Sequence, residues 1–568
     1  MTTQSPPSPP VRPGGDGGVA VTATGSPVSA LLGSRFPVLM LVQLGNAISV
    51  WAHVVAVQWV LTEQGGSATL VSLAPAAMSL PFLLLALPLG VVVSYARRER
   101  LMVGAMIASA AAAGAAWLVT ATGRATPAAL IASVAAVGVS LVCVGVAWQS
   151  LLPETVERRV VASAAIVDAA AFNSARAAGP IAAGVVLAVT GPGPVFAGTA
   201  VLFASCAVGL VVATAGHPGR RSPRQPIVRS TAGAVRFAAH SPWTRRLLLR
   251  MVLFGLPSSC LWATLSLVAH ERLHLGSGGF GLLMGMIGVG AVLGTLALTW
   301  VRSRMSVNGF AVLGSAAYAA VLAALATVWS VPVLAGFLVL GGAAWVGVQS
   351  TWMQLGHQAL PSWVRPRIIA MILFLFQGTQ AVGALFWGAA ADLLGLTTAV
   401  LIAAAVMLLS ALGLLRRGLY TSAGIEPEPV AGSVPESAPP HTAASGDVMV
   451  QVDHLVAPAA EDDFYAAMQR LRLSRLRLGA RRWTLFADPS RPGRYVECYV
   501  VEGWAEYVAQ ETDRLTVPER RLRDRVADLA TVGEPRVLVE VRPTSRRQAL
   551  RSYVHDPGPF VNTGSGHA

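Results

Sequence analysis

The stretch Phe172-Asn173-Ser174-Ala175-Arg176-Ala177-Ala178-Gly179-Pro180 carries an amide, a guanidinium and a helix breaker, with Asp168 just upstream. These groups interrupt a run from Val160 to Val189 that is otherwise almost wholly apolar. Such residue types can hold a ligand, relay a proton or hinge a helix. The run also suits a membrane span, because about 20 residues of α-helix cross the ~30 Å hydrocarbon core. A lone Arg or Asp at mid-bilayer costs roughly 2.5–3.5 kcal/mol, so something must offset these charges. On a helix, Asn173 and Arg176 are neighbours at i and i+3. Gly179, Pro180, Ala183 and Gly184 continue that face, and small residues let a second helix approach closely. Pro180 frees the carbonyl of Arg176 and favours a kink. Asp168 lies two turns, about 12 Å, from Arg176 along the axis. Each therefore needs a partner on another helix, or water in a cavity. Arg176 fits two readings: a functional or gating group, and a structural pin held by carbonyls and amides. Asp168 fits proton coupling and a hydrogen-bonded structural acid.

The elements that position these residues follow from composition. Of 568 residues, 54% are hydrophobic and 12% charged, with a mean hydropathy of +0.59. Soluble domains carry about a quarter charged residues, so this chain reads as a membrane protein. Apolar spans start near Phe36, Ala68, Leu101, Pro127, Ala162, Pro194, Arg246, Gly279, Val307, Val331, Ile368 and Leu396, which predicts twelve transmembrane helices. The net charge is +14 and every basic side chain is Arg. In a soluble protein that excess would suggest nucleic acid; here the positive-inside rule accounts for it. One set of alternate loops holds Arg97, Arg98, Arg100, Arg158, Arg159, Arg220, Arg221, Arg224, Arg229, Arg236, Arg302, Arg304, Arg365 and Arg367, and the other only Arg124 and Arg272. The Arg-rich loops, and with them both termini, are expected in the cytoplasm, with no nucleic-acid partner. Cys143, Cys206, Cys260 and Cys498 show no metal-ligand or disulfide spacing, which argues against a metal site.

The chain also repeats itself. "LPETVERRVVA" from Leu152 is echoed by "LPSWVRPRIIA" from Leu360, and Gly179 and Gly184 by Gly383 and Gly388. Two parallel six-helix repeats follow, at residues 35–215 and 246–418, joined by a cytoplasmic linker at residues 216–245. Residues 1–34 read as a disordered tail, residues 419–446 as a Pro/Ser/Ala linker and residues 546–568 as a second disordered tail. Residues 447–545 are charged and soluble in character. "VMVQV", the helical spacing of Phe464, Met468 and Leu471, the hairpin "RWTLFAD"/"RYVECYVVE", a Thr516-x-x-Glu519 capping box and "VLVEV" spell β-α-β-β-α-β. That order predicts a ferredoxin-like α+β domain. No G-x-x-x-x-G-K-[ST] occurs, so nothing supports ATP use.

The chain from residue 30 to 545 resembles the major facilitator superfamily (MFS), in its branch of enterobactin-exporter-like and macrolide-efflux-like bacterial transporters, the transmembrane secretion effectors. "AAFNSARAAGPIAAG" is similar to that branch's fifth-helix signature N-x-x-R-x-x-G-P-x-x-x-G. "LPSWVRPRIIA" resembles its tenth-loop motif, with Pro366 where Gly is usual between Arg365 and Arg367. The tail resembles the branch's accessory domain through "GARRWTLFAD", "VEGWAEYVAQ" and "DRLT", with Tyr507 in place of a common His. The loop after the second span departs from the superfamily's G-x-x-x-D-R-x-G-R-R: Gly90 and Arg98 fit, while Ser94 and Tyr95 replace the acid and base.

The resemblance implies a secondary active exporter of the plasma membrane that takes a small organic molecule, such as a siderophore or drug, in exchange for protons, without a cofactor. It places the first, fourth, seventh and tenth spans around the cargo cavity, which marks Gln43, Asn46, Gln149, Trp262 and Gln349 as lining residues beside Asp168, Asn173 and Arg176. Interhelical hydrogen bonding is the competing role for each amide. Gln58, Gln354, Gln377 and Gln380 also interrupt spans, and His53 and His357 fit either titrating or structural roles. The tail would be a ligand-sensing or dimerising module, giving a homodimer. Its α+β fold also resembles small monooxygenases, for which His454 and Tyr507 are the residues to test.

Overall fold

The computed structural model describes residues 35–95, 97–157, 160–215, 227–416, 418, 428–430, 432 and 446–540; the side chains of 86–95, 162, 227–232 and 299 lie outside the described set. The expected disordered tails, Arg158, Arg159, Arg220, Arg221, Arg224 and most of the Pro/Ser/Ala linker fall outside these residues.

Backbone polar groups in hydrocarbon must be paired internally, so apolar runs of this length form helices. The first six are α1 (Phe36–Glu63), α2 (Ala68–Tyr95), α3 (Arg98–Ala121), α4 (Pro127–Thr155), α5 (Val161–Thr190) and α6 (Pro192–Thr214). A shorter α7 (Ile227–His240) follows. The second six are α8 (Pro242–Leu267), α9 (Ser277–Arg302), α10 (Val307–Thr327), α11 (Val331–Ala359), α12 (Arg365–Leu394) and α13 (Leu396–Arg416). Among the described residues, twelve helices are long and apolar enough to cross a membrane. Several begin up to four residues before the apolar run does; in α8, Ser241 accepts from the Thr244 N–H and opens the helix ahead of Arg246. Gly191 (φ 79°) and Gly395 (φ 83°) turn the chain in one residue between α5 and α6 and between α12 and α13, a left-handed conformation that favours glycine.

Glycines seat the helix contacts. A Cβ at Gly179 would lie 2.9 Å from the Ile48 carbonyl oxygen and Trp51 Cβ of α1. A Cβ at Gly184 would lie 2.7 Å from Ser277 O and 2.8 Å from Gly281 Cα of α9. The same two contacts recur on α12, where Gly383 meets Ser259 of α8 and Gly388 meets Ser72 and Ala68 of α2. The α5–α9 and α2–α12 seams thus join the first six spans to the second six, at the end away from the Arg-rich loops.

Two features depart from the expected organisation. The segment 216–245 holds α7, whose Ala234, Phe237 and Ala238 are buried at helical spacing, so it is docked structure as well as a connection. Between its third and fourth strands the tail has two helices where one was expected. Its order is β1 (Val448–Val456), α14 (Glu461–Leu478), β2 (Arg482–Ala487), β3 (Arg494–Val501), α15 (Trp504–Thr512), α16 (Val517–Leu529), β4 (Ala530–Val532) and β5 (Arg536–Val539). Gly503 (φ 93°) opens α15, and the Thr516–Glu519 capping box with Pro518 restarts the chain as α16. The sheet runs β2-β3-β1-β4, all antiparallel, and β5 pairs β1 beyond β4.

Candidate functional site

Between α1, α2, α4 and α5 on one side and α8, α9, α11 and α12 on the other lies a cavity of about 660 Å3. It extends from the seams toward the Arg-rich end, where Gln149, Asp168 and Ser350 line it. Gln43, Asn46, Gln149, Asp168, Asn173, Arg176, Trp262 and Gln349 all border it, and Gly179, Pro180 and Gly184 lie beyond it in the helix contacts.

Among the described residues Arg176 is the only basic one that lines the cavity. It is 6% exposed and sits over the rings of Trp345 (4.6 Å to Cζ), Trp51 (5.1 Å) and Phe172 (5.5 Å). Trp51 and Trp345 each contact Trp262, at 5.8 and 6.1 Å between ring centroids, and Trp345 contacts Phe376 at 5.6 Å. Among the described residues Arg176 makes no ion pair or hydrogen bond, and its Nε is buried without a partner. Stacking a desolvated guanidinium on an aromatic face is worth about 2 kcal/mol. The rings therefore offset much of the cost of the buried charge, but they accept none of its five N–H donors.

The other polar groups divide into linking and lining roles. Asp168 accepts a hydrogen bond from Trp148 Nε1 (2.9 Å) of α4, the off-helix partner its spacing called for. Asn173 reaches Thr295 of α9 at 3.5 Å. Gln58 donates to the Trp262 carbonyl (2.9 Å) and Thr62 to Ser266 Oγ (3.0 Å), both tying α1 to α8. His53 is fully buried beside Ser133 Oγ (2.9 Å) and Phe196, within the packing of the first six spans and away from the cavity. His357 is exposed near the Arg-rich end.

The loop-motif residues hold loops. Arg98 donates to Glu154 (2.7 Å) and to the Ser150 carbonyl (3.0 Å). Arg365 and Arg367 donate to the carbonyls of Leu360 (3.0 Å) and Trp363 (2.9 Å) in the α11–α12 loop. Gly90 lies on α2, in the stretch whose side chains are not described.

Three features were missed by the sequence reading or left without a place. Trp51 and Trp345 form the aromatic wall, and their hydropathy resembles that of any lipid-facing residue. Gln377 and Gln380 also line the cavity, and Gln380 donates to Ser258 Oγ (3.1 Å). A legible signal existed for this pair: Phe376, Gln377, Gln380, Gly383 and Gly388 repeat the spacing of Phe172, Asn173, Arg176, Gly179 and Gly184. The third is Asp392, whose carboxylate takes the N–H groups of Ala68 (2.7 Å) and Thr69 (2.9 Å) and so caps α2 from α12.

The tail touches the membrane region beside the same loop. Arg514 lies over the Trp363 ring (4.6 Å to Cζ), pairs with Glu506 (2.5 and 2.8 Å) and donates to the Leu478 carbonyl (2.8 Å). Glu506 also meets Arg236 of α7 (3.6 Å), and Phe237 stands edge-on to Trp363 (5.6 Å between centroids).

No curated protein sequence matches the chain. Among solved structures it is similar to a bacterial homologue of the human lysosomal transporter Spinster, captured inward-facing and unoccupied, at 14% identity over 67% of this chain and 97% of that one, with a TM-score of 0.53. It is also similar to the nucleoside transporter NupG, at 13% identity over 68% of this chain and all of that one, with a TM-score of 0.56. The family model described as transmembrane secretion effector matches residues 25–548. The chain therefore belongs to the transmembrane secretion effector family, multi-pass membrane transporters of the MFS type.

Proposed function

We propose that the chain is a secondary active exporter of the plasma membrane, moving a small organic molecule outward by alternating access in exchange for protons. The observation that carries this reading is the cavity: it lies between the two sets of six spans, is sealed at one end by the α5–α9 and α2–α12 seams, and continues toward the other. Rocking the two sets about Arg176 would close one end and open the other. Recurrence of the α5 contacts on α12 supports two six-helix repeats as the rocking bodies. The Arg-rich loops support a cytoplasmic mouth and cytoplasmic termini. Asp168, half-buried at that mouth, is the proposed proton carrier, and the Gly179-Pro180 signature favours export. Siderophores and drugs are the cargo classes to test first.

The test is accumulation of candidate compounds in an efflux-deficient host. The exporter reading expects lower accumulation with the wild-type protein, restored by a protonophore and by Asp168→Asn. A protein that changes the accumulation of no compound across a siderophore and drug panel overturns it.

A second role belongs to the tail. Its sheet order supports a ferredoxin-like fold, and its contacts with Trp363 and Arg236 support a regulatory module that senses or steadies the α11–α12 loop, with homodimerisation as a further possibility to test by molecular mass in solution. His454 and Tyr507 are 2% and 3% exposed in the packed core, which favours regulation over monooxygenase chemistry. Deleting residues 446–540 should alter transport rate while leaving cargo choice intact; unchanged rates would remove the regulatory role.

A further inference from the structure

We infer that the cargo carries a delocalised organic oxyanion, a carboxylate or its equivalent, joined to an aromatic or otherwise flat apolar body, and that Arg176 is the group that binds it. The inference rests on the transporter reading and names the substrate class of its cavity.

The argument begins with what Arg176 lacks. It is more than nine-tenths buried, and no described carboxylate pairs with it. Among the described residues the one acid that lines the cavity is Asp168, two helical turns away and engaged by Trp148. A guanidinium presents five N–H donors in a rigid fork and accepts nothing. Its natural complement is a planar, two-oxygen anion taken bidentately.

The surroundings narrow the class further. Trp51, Phe172 and Trp345 flank the guanidinium, Trp262 lies against both tryptophans, and Phe376 extends the wall. An apolar ring beside the anion would stack on this wall as the guanidinium does. A cationic cargo would place like charges together in a low-dielectric site, which is repulsive. Gln43, Asn46, Gln349 and Gln377 line the remainder and suit neutral polar substituents on the same body.

The test uses the purified full-length protein in lipid nanodiscs and three matched probes: 2-naphthoate, 2-naphthamide and 2-naphthylmethylammonium. The wild type should bind naphthoate about 10- to 100-fold more tightly than the amide, the range for one charged hydrogen-bonded contact, and the ammonium most weakly. Arg176→Gln should abolish that preference by weakening naphthoate to the level of the amide, and a near-unchanged thermal-unfolding midpoint shows that the variant is folded. Arg176→Lys should keep part of it, since the charge remains but the fork does not. Equal binding of the three probes, no binding of naphthoate, or a preference that survives Arg176→Gln would overturn the inference. So would loss of the preference when gluconate is replaced by chloride at equal ionic strength, which would assign the site to a small inorganic anion. A preference as stated with no effect on accumulation of any compound would instead sink the exporter reading alone.

Discussion

Arg176 and Arg475 are equally buried, at 6% and 7% exposed, yet their surroundings are opposite. Arg475 of α14 donates to Glu497 (3.1 Å) and Glu511 (3.4 Å) and lies over Tyr499 (4.3 Å). Glu511 is held again by Arg523 (2.6 and 3.0 Å), and Glu497 by Trp483 Nε1 (2.9 Å). Every charge in the tail core has a protein partner. Arg176 has aromatic faces and no anion. Breaking a buried pair strands its partner, whereas an unpaired charge strands nothing when removed. The difference separates a side chain that holds a fold together from one whose partner must arrive from outside.

The largest expected effect lies in the tail. Arg475→Met leaves Glu497 and Glu511 buried against a neutral side chain and should destabilise the tail by about 3–5 kcal/mol. Hydrogen exchange across residues 446–540 of the full chain should read this as loss of protection confined to the tail. Adding Glu497→Gln should recover part of it, because the two sites are coupled. Arg176→Gln, by contrast, should change the stability of the membrane region by no more than about 1 kcal/mol, since it orphans no acid. A loss as large as that of Arg475→Met would mean that Arg176 is a structural pin.

Acid should separate the two regions as well. Burial alone would raise the Glu497 carboxyl, but the Arg475 guanidinium, with His454 and Trp483 beside it, more than offsets this and holds the group at about 2, below its ordinary 4.5. A carboxyl depressed on folding stabilises the fold above its unfolded value and ceases to as pH falls through its folded value. The tail should therefore lose stability between about pH 4.5 and 2, and Glu497→Gln should flatten that dependence in a fluorescence-monitored acid titration of the full chain. The smallest effect should follow Trp363→Ala, which removes the ring under Arg514. Such a contact is worth about 0.5–1 kcal/mol where solvent reaches it, and exchange in α15 should rise while the tail core stays protected.

Much of the membrane fold was legible because hydrocarbon leaves the backbone few choices. The starts at Phe36, Ala68, Pro127, Val307, Val331 and Leu396 are those of the helices themselves. Helix α15 escaped notice because nine residues after Gly503 carry little helical signal of their own, and short helices owe their stability to packing; here Tyr507 and Gln510 are buried. In the cavity, the polar interrupters stood out against an apolar background, while Trp51 and Trp345 did not. An aromatic ring facing lipid and one facing a cavity read alike until the helices are packed. The isolation of Arg176 was equally hidden, because a sequence shows which charges a span holds but not which acids neighbouring spans bring to it.

The most direct test of alternating access uses the α5–α9 seam. A Cβ at Gly278 would stand 3.7 Å from the Cβ of Ala188, within the separation that a disulfide spans. The double variant Ala188→Cys/Gly278→Cys should cross-link on oxidation and hold that end of the cavity shut. The account predicts that the oxidised protein still binds naphthoate from the Arg-rich side but no longer lowers accumulation of its cargo, and that reduction restores transport. Full transport by the cross-linked protein would contradict it.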